Sequence, residues 1–229
     1  MTPAVPPRAA APAAAPPAAT GACTRTQLAQ DVVTAADWLA DIVGTVADAD
    51  LERPARRSAW TCWRSIEHVV DDLLAYALQV ASGSRLDYLP LEGGRGEDEL
   101  AHVSRSSGAP GLAECLRAGG RLLAAQVAVA SDDARAHHPF GLSDPGGFAA
   151  MGVVEILVHG FDVATALGAP DADTFPDGLA EHVLDRLFPD VPHDVRALDA
   201  SAALLWATGR IAVPGHDELL RWRWDSSVR

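Results

Sequence analysis

The chain has 229 residues, with 31 acidic against 18 basic side chains and a formal charge of −13. A phosphate backbone or an anionic bilayer surface would repel it, so neither nucleic acid nor a membrane is expected as a partner. Every basic residue is arginine, which excludes lysine Schiff-base chemistry and a P-loop lysine.

The predicted elements follow in chain order. Residues 1–22 hold ten alanines and six prolines, a composition that cannot build a core and predicts a disordered tail. From Thr24 to about Asp48, Leu28, Val32, Ala35, Leu39 and Val43 recur at helical steps, with Thr24 or Thr26 as cap. A second helix is expected over about Thr61–Ala81, where Ile66, Val69, Val70, Leu73 and Ala77 form one apolar stripe. Gly83–Pro110 reads as a long crossover loop. A third helix covers roughly Gly111–Ser131, weakened by Gly119 and Gly120. A fourth runs from about Phe148 to Leu167 and ends at Gly168.

Two more helices are expected at Asp177–Phe188 and about Val195–Thr208, before a strand-like aromatic stretch, Ile211–Trp224. The pattern predicts a mainly α protein. It is expected to place residues 23–170 in a four-helix bundle with a long crossover loop and residues 171–229 in a small C-terminal α(+β) extension. No apolar run reaches the roughly 18 uncharged residues of a membrane span, and no leucine-rich secretory segment stands at the N-terminus. Cys23, Cys62 and Cys115 are odd in number and widely spaced, fitting neither a disulfide framework nor a CxxC site, so a cytoplasmic setting is expected.

The chemistry concentrates in the fourth helix. Between Phe148 and Leu167 the ionisable groups are Glu155, His159 and Asp162. Steps of four and three at 100° per residue hold them within about 60° of arc, a single polar stripe on a helix that is otherwise apolar. A carboxylate buried there needs compensation. Glu155 and His159 can present an oxygen and an imidazole nitrogen to one divalent metal, with Asp162 orienting His159. A Glu–His hydrogen bond or an arginine partner would close the same network without metal. Of the other histidines, His68 is the chosen third ligand, although it falls nearly opposite the apolar stripe of its own helix. His137 and His138 are competing loop ligands, and His102, His182, His193 and His216 read as surface groups.

The segment Trp60-Thr61 with His68, followed by Glu155-x-x-x-His159-x-x-Asp162, resembles the mycothiol-dependent maleylpyruvate isomerase family, within the DinB-like superfamily of metal-binding four-helix bundles. The resemblance spans about Thr26–Leu167 and continues more loosely through Leu204–Arg210 and Trp222-x-Trp224. It implies that His68, Glu155 and His159 share one divalent metal, zinc before nickel or another ion, with coordination positions left open. It also implies a small-molecule substrate and mycothiol as co-substrate, its sulfur activated by the metal. The thiolate would then add reversibly to an activated double bond, as in a cis–trans isomerase, or displace a leaving group, as in an S-transferase.

Asp162 and Arg210 are the candidates for a further catalytic role, with Arg64 beside Arg210 by charge. Trp60, Trp63 and Trp206 are candidates to wall the site, and Cys62 reads as a small packing residue. Two alternatives stand beside this reading. One is a thiol-independent metal-dependent hydrolase or biosynthetic enzyme on the same bundle. The other is a non-catalytic binding bundle whose polar stripe is a buried network.

Overall fold

Short side chains set the helix starts. Thr24 accepts the amide of Gln27 at 3.2 Å and opens α1 (Arg25–Gly44), and Thr61 accepts that of Arg64 at 3.2 Å and opens α2 (Cys62–Ser82). The helix α3 spans Gly108–Val129. The helix α4 is Pro145–Leu167: Asp144 accepts the Gly147 amide at 2.7 Å and Pro145 takes the first turn, so it starts one turn before the expected Phe148. Left-handed Gly83 and Gly168 end α2 and α4. The computed structural model describes residues 23–91 and 100–228, so the expected tail over residues 1–22 and part of the crossover lie outside the described residues.

The helices form a bundle in which α1 packs on α3 and α4, and α2 packs on the same two. Contacts of Gly44 with Ala113 and of Gly120 with Val32 and Ala36 make α1 and α3 antiparallel. Leu28 beside Gly146 and Leu39 beside Gly160 make α1 and α4 parallel. Leu73 beside Gly152 and Tyr76 beside Phe148 make α2 and α4 antiparallel. The consecutive helices α2 and α3 therefore point the same way, and the chain must travel back along the bundle between them. That return is the long crossover read from the sequence. Its end is held on α2 by two buried carboxylates: Glu67 Oε1 accepts the Val103 amide at 2.9 Å and Asp71 Oδ1 accepts that of Ala101 at 2.7 Å.

The helix α4 is long and apolar enough to cross a bilayer by length and composition, and here it is mostly buried within the bundle. Beyond it lie α5 (Leu179–Leu187), α6 (His193–Arg196) and α7 (Ala200–Ala207), with α5 packed on α4 and α7 on α5. The single helix expected over Val195–Thr208 is broken because Asp199 turns to cap α7, accepting the Ala202 amide at 3.2 Å. The expected strand around Ile211–Trp224 does not form, and no strand occurs among the described residues. Val213 and His216 make one isolated bridge across the turn at Pro214–Gly215 (Gly215 φ 81°). The aromatics of this stretch dock instead: Trp224 packs against His138 and Phe140, at 5.4 and 5.2 Å between ring centres.

Gly119 and Gly120, read as weak points of the third helix, are where α3 meets its neighbours. A Cβ on Gly120 would lie 2.5 Å from the Cβ of Ala36 and 3.4 Å from the Val32 carbonyl. Gly120→Ala gains up to about 1 kcal/mol of helix propensity, but it forces α1 and α3 apart. The expected outcome is a net loss of about 1–3 kcal/mol in unfolding free energy by urea titration. An unchanged or raised midpoint would show that the close approach is dispensable.

Candidate metal centre

The antiparallel pairing of α2 and α4 brings His68 to Glu155 and His159. One donor atom from each lies within 4.8 Å of the other two. His159 Nε2 stands 3.2 Å from Glu155 Oε2, and the rings of His68 and His159 meet edge to face at 5.2 Å. On α2, His68 Nε2 lies 3.3 Å from Asp72 Oδ2. The two helices thus face each other with matching i,i+4 pairs, His68-x-x-x-Asp72 and Glu155-x-x-x-His159.

Trp60, placed just before the α2 cap, covers the cluster. Its ring stacks at 6.4 Å on His159 and meets His68 at 5.0 Å, while the Arg64 guanidinium sits 5.3 Å over its face. The other two tryptophans do not wall the site. Trp63 is buried under the Arg105 guanidinium, and Trp206 donates its indole N–H to the Asp217 carbonyl at 3.0 Å.

His68 is half-buried although it lies off the apolar stripe. The reason is that α2 is covered on more than its stripe: α3 and α4 both pack on the stripe at Leu73, the returning crossover takes Glu67 and Asp71, and Glu155 and His159 of α4 come to His68. Burial pushes the Glu155 carboxyl up, but the hydrogen bond from His159 and the charges of His159, His68 and Arg210 outweigh it and hold the carboxyl below its usual range. No arginine bonds Glu155 among the described residues.

Asp162 does not orient His159. Its Oδ2 accepts from Arg210 Nε at 3.3 Å and Nη2 at 3.0 Å, and its Oδ1 is buried without a hydrogen bond. Burial pushes Asp162 up, only partly offset by Arg210, His159 and Arg56. Arg210 also donates to the Thr208 carbonyl at 2.8 Å, and Arg56 donates to the Arg210 carbonyl at 2.8 Å. Asp162 and Arg210, the expected catalytic candidates, thus pair with each other and tie the segment after α7 to α4. Arg64 faces Glu67 at 3.5 Å as well as Trp60.

A cavity of about 250 Å³ is lined by Asp72, Tyr76, Tyr88, Leu89 and Leu91 among others; it reaches the cluster through Asp72, the partner of His68, and none of His68, Glu155 and His159 lines it. Burial, with Asp72 and Glu155 adding to it, raises the pKa of Tyr76 and Tyr88, so both hydroxyls stay protonated. Asp72 and the two tyrosines were missed in the sequence, although the i,i+4 spacing of Asp72 from His68 was a usable signal.

Several groups read differently in three dimensions. His102 faces Glu67 at 3.2 Å, His182 faces Asp31 at 2.7 Å and His216 faces Asp194 at 2.8 Å, so each is partnered rather than a lone surface group. Cys62 is a buried packing residue, and burial pushes its thiol up along with that of Cys115. Burial, then Asp31 and Asp185, push the Cys23 thiol up to about 11, so none of the three is poised as a nucleophile.

His137 and His138 do not join the His68–Glu155–His159 cluster. The His138 ring lies among Tyr76, Phe140, Phe148 and Trp224, and its Nδ1 accepts the Phe140 amide at 3.1 Å. That bond fixes the neutral ring. His137 packs edge-on against Tyr88 at 5.7 Å.

Residues 32–164, more than half of the chain, match the family model for the mycothiol maleylpyruvate isomerase N-terminal domain. The match runs from α1 through nearly all of α4. No curated protein and no solved structure matches the chain.

Burial holds the His138 pKa down from 6.5 to about 4, against the pull of Glu155. The unfolded chain therefore binds the extra proton first as pH falls, so stability is full above about pH 6.5 and declines toward pH 4. Unfolding free energy measured across that window should fall by up to about 3 kcal/mol more than in His138→Gln, which keeps an acceptor for the Phe140 amide but does not titrate. Parallel profiles for the two proteins would remove His138 as the source.

Proposed function

Because the chain belongs to the mycothiol maleylpyruvate isomerase N-terminal domain family, we propose that it is a divalent-metal-dependent enzyme that uses a mycothiol-type thiol on a small electrophilic substrate, as a cis–trans isomerase or an S-transferase. The observation that carries this reading is the convergence of His68, Glu155 and His159 within 4.8 Å, with Asp72, the partner of His68, lining a cavity. Two imidazoles and a carboxylate suit zinc, and also other first-row ions. Bound there, the ion would supply Lewis acidity that lowers the pKa of a thiol near neutrality.

The chain's own residues complete the site. Asp72 orients His68 and, as part of the cavity wall, is the carboxylate placed to accept the proton a thiol gives up. Trp60 shields the imidazoles from bulk water, which strengthens every charge interaction beneath it. The protonated hydroxyls of Tyr76 and Tyr88 offer donors to an oxygen of the substrate. Arg210 holds Asp162 and fixes the C-terminal segment against α4, a positioning role.

A second reading has one observation behind it: the Glu155–His159 contact at 3.2 Å closes a buried network without help. Metal analysis separates the two. After zinc loading and desalting, His68→Ala, Glu155→Gln and His159→Ala should each hold about one equivalent less than the parent chain, and Asp72→Asn should bind about 10–100-fold more weakly. Parent-level content in all three ligand variants would leave the network as the account.

The thiol requirement is tested with mycothiol and a panel of electrophiles. Conjugation or isomerisation should drop at least about 100-fold in Glu155→Gln and should vanish when low-molecular-weight thiol is removed. Turnover that persists without thiol would point to the hydrolase alternative.

A further inference from the structure

We propose that Cys23, Asp31 and His182 form a second divalent-metal site, of the zinc type, which pins the start of α1 to α5. Cys23 stands just before the Thr24 cap, Asp31 lies on α1, and His182 is in the first turn of α5. One donor atom from each lies within 4.8 Å of the others. All three fall outside the segment matched by the family model, residues 32–164.

The strongest sign is Asp31. Asp31 is only 3 % exposed, with Oδ1 accepting from Gln27 Nε2 at 2.9 Å and Oδ2 facing His182 Nδ1 at 2.7 Å. Gln27 is neutral and His182 is a cation only when protonated, so with a neutral imidazole the buried carboxylate has no charge partner, which a divalent ion would supply. The arginines nearby are engaged elsewhere. Arg25 reaches the Ala130 carbonyl and Asp132, both at 2.8 Å, and Arg186 reaches Asp144 and the Ser227 carbonyl, both at 3.0 Å.

A cavity of about 280 Å³ opens beside the cluster, lined by Cys23 and His182 together with Asp132, Asp144 and Asp185. Arg25 and Arg186 line it too, each paired with an aspartate of the wall, Asp132 and Asp144, so the cavity offers an ion access without bringing a free cation to the donors. A thiolate, an imidazole and a carboxylate are the donor types of a tetrahedral zinc site with one position left for water, and the sulfur selects against magnesium and calcium. Binding displaces the thiol proton and any proton shared between His182 Nδ1 and Asp31, so two protons at most are released per ion. Gln27 holds the second carboxylate oxygen in place.

Cobalt(II) reads this site apart from the one on α2 and α4, because only here is a sulfur ligand present. The full chain is stripped with chelator and titrated with Co²⁺, and the near-ultraviolet sulfur-to-cobalt charge-transfer band is followed. The band should appear in the parent chain and persist in His159→Ala. It should be lost in Cys23→Ser, with about one equivalent of metal lost, and should need at least about 10-fold more Co²⁺ in His182→Gln and Asp31→Asn. Circular dichroism confirms that each variant stays helical. A band that is absent from His159→Ala, survives Cys23→Ser, or is unmoved by His182→Gln overturns the proposal.

Discussion

An ionised Glu155 inside α4, the most apolar helix of the bundle, is the constraint around which the central polar cluster is arranged. A carboxylate there must be solvated by the protein or take up a proton. His159, one turn on, meets it at 3.2 Å, and His68 comes to it from α2. That meeting requires α2 and α4 to be antiparallel neighbours in a particular register. The same register puts Trp60 over both imidazoles and Asp72 between His68 and the cavity. Compensation of one buried charge therefore sets the relation of the two helices that carry the site.

The C-terminal segment repeats this logic at its own contacts with the bundle. Arg210 pairs with Asp162 of α4, Arg186 pairs with Asp144 at the α4 cap, and His182 faces Asp31 of α1. Each contact joins a carboxylate of the bundle to a basic group contributed after α4. Pairs buried in this way give little net stability once desolvation is counted, but breaking one partner leaves a stranded charge, so they specify the docked position more than they strengthen it. The apolar part of the docking is aromatic, with Trp224 closing over His138 and Phe140. The neutral His138 ring is part of that packing, which accounts for its lowered basicity.

Much of the bundle was legible because its signals are local. Stripes such as Ile66, Val70, Leu73 and Ala77, caps such as Thr24 and Thr61, and the stop at Gly168 act within a turn or two of the chain, and the structure places the four long helices within a few residues of the expected bounds. The break at Asp199 and the absence of a strand near Trp222 were not legible. In both places the local pattern was outweighed by what the segment packs against: a cap that redirects α7, and aromatic partners on the bundle surface. Gly119 and Gly120 read as weak helix formers because propensity counts the isolated helix, while their value lies in the close approach of α3 to α2 and α1.

The sequence by itself determined the helical class, the long return between α2 and α3, and the shared face of Glu155, His159 and Asp162, since each follows from periodicity or from length along one chain segment. Only the tertiary structure decided which neighbour each of these groups meets. It turned His68 from an off-stripe residue into the companion of Glu155, paired Asp162 with Arg210 across 48 positions, and brought His182 to Asp31 across 151. Helical spacing tells which side chains share a face, but the partner of that face comes from another helix. Its identity rests on the global arrangement that buries the most apolar surface while leaving the fewest charges uncompensated.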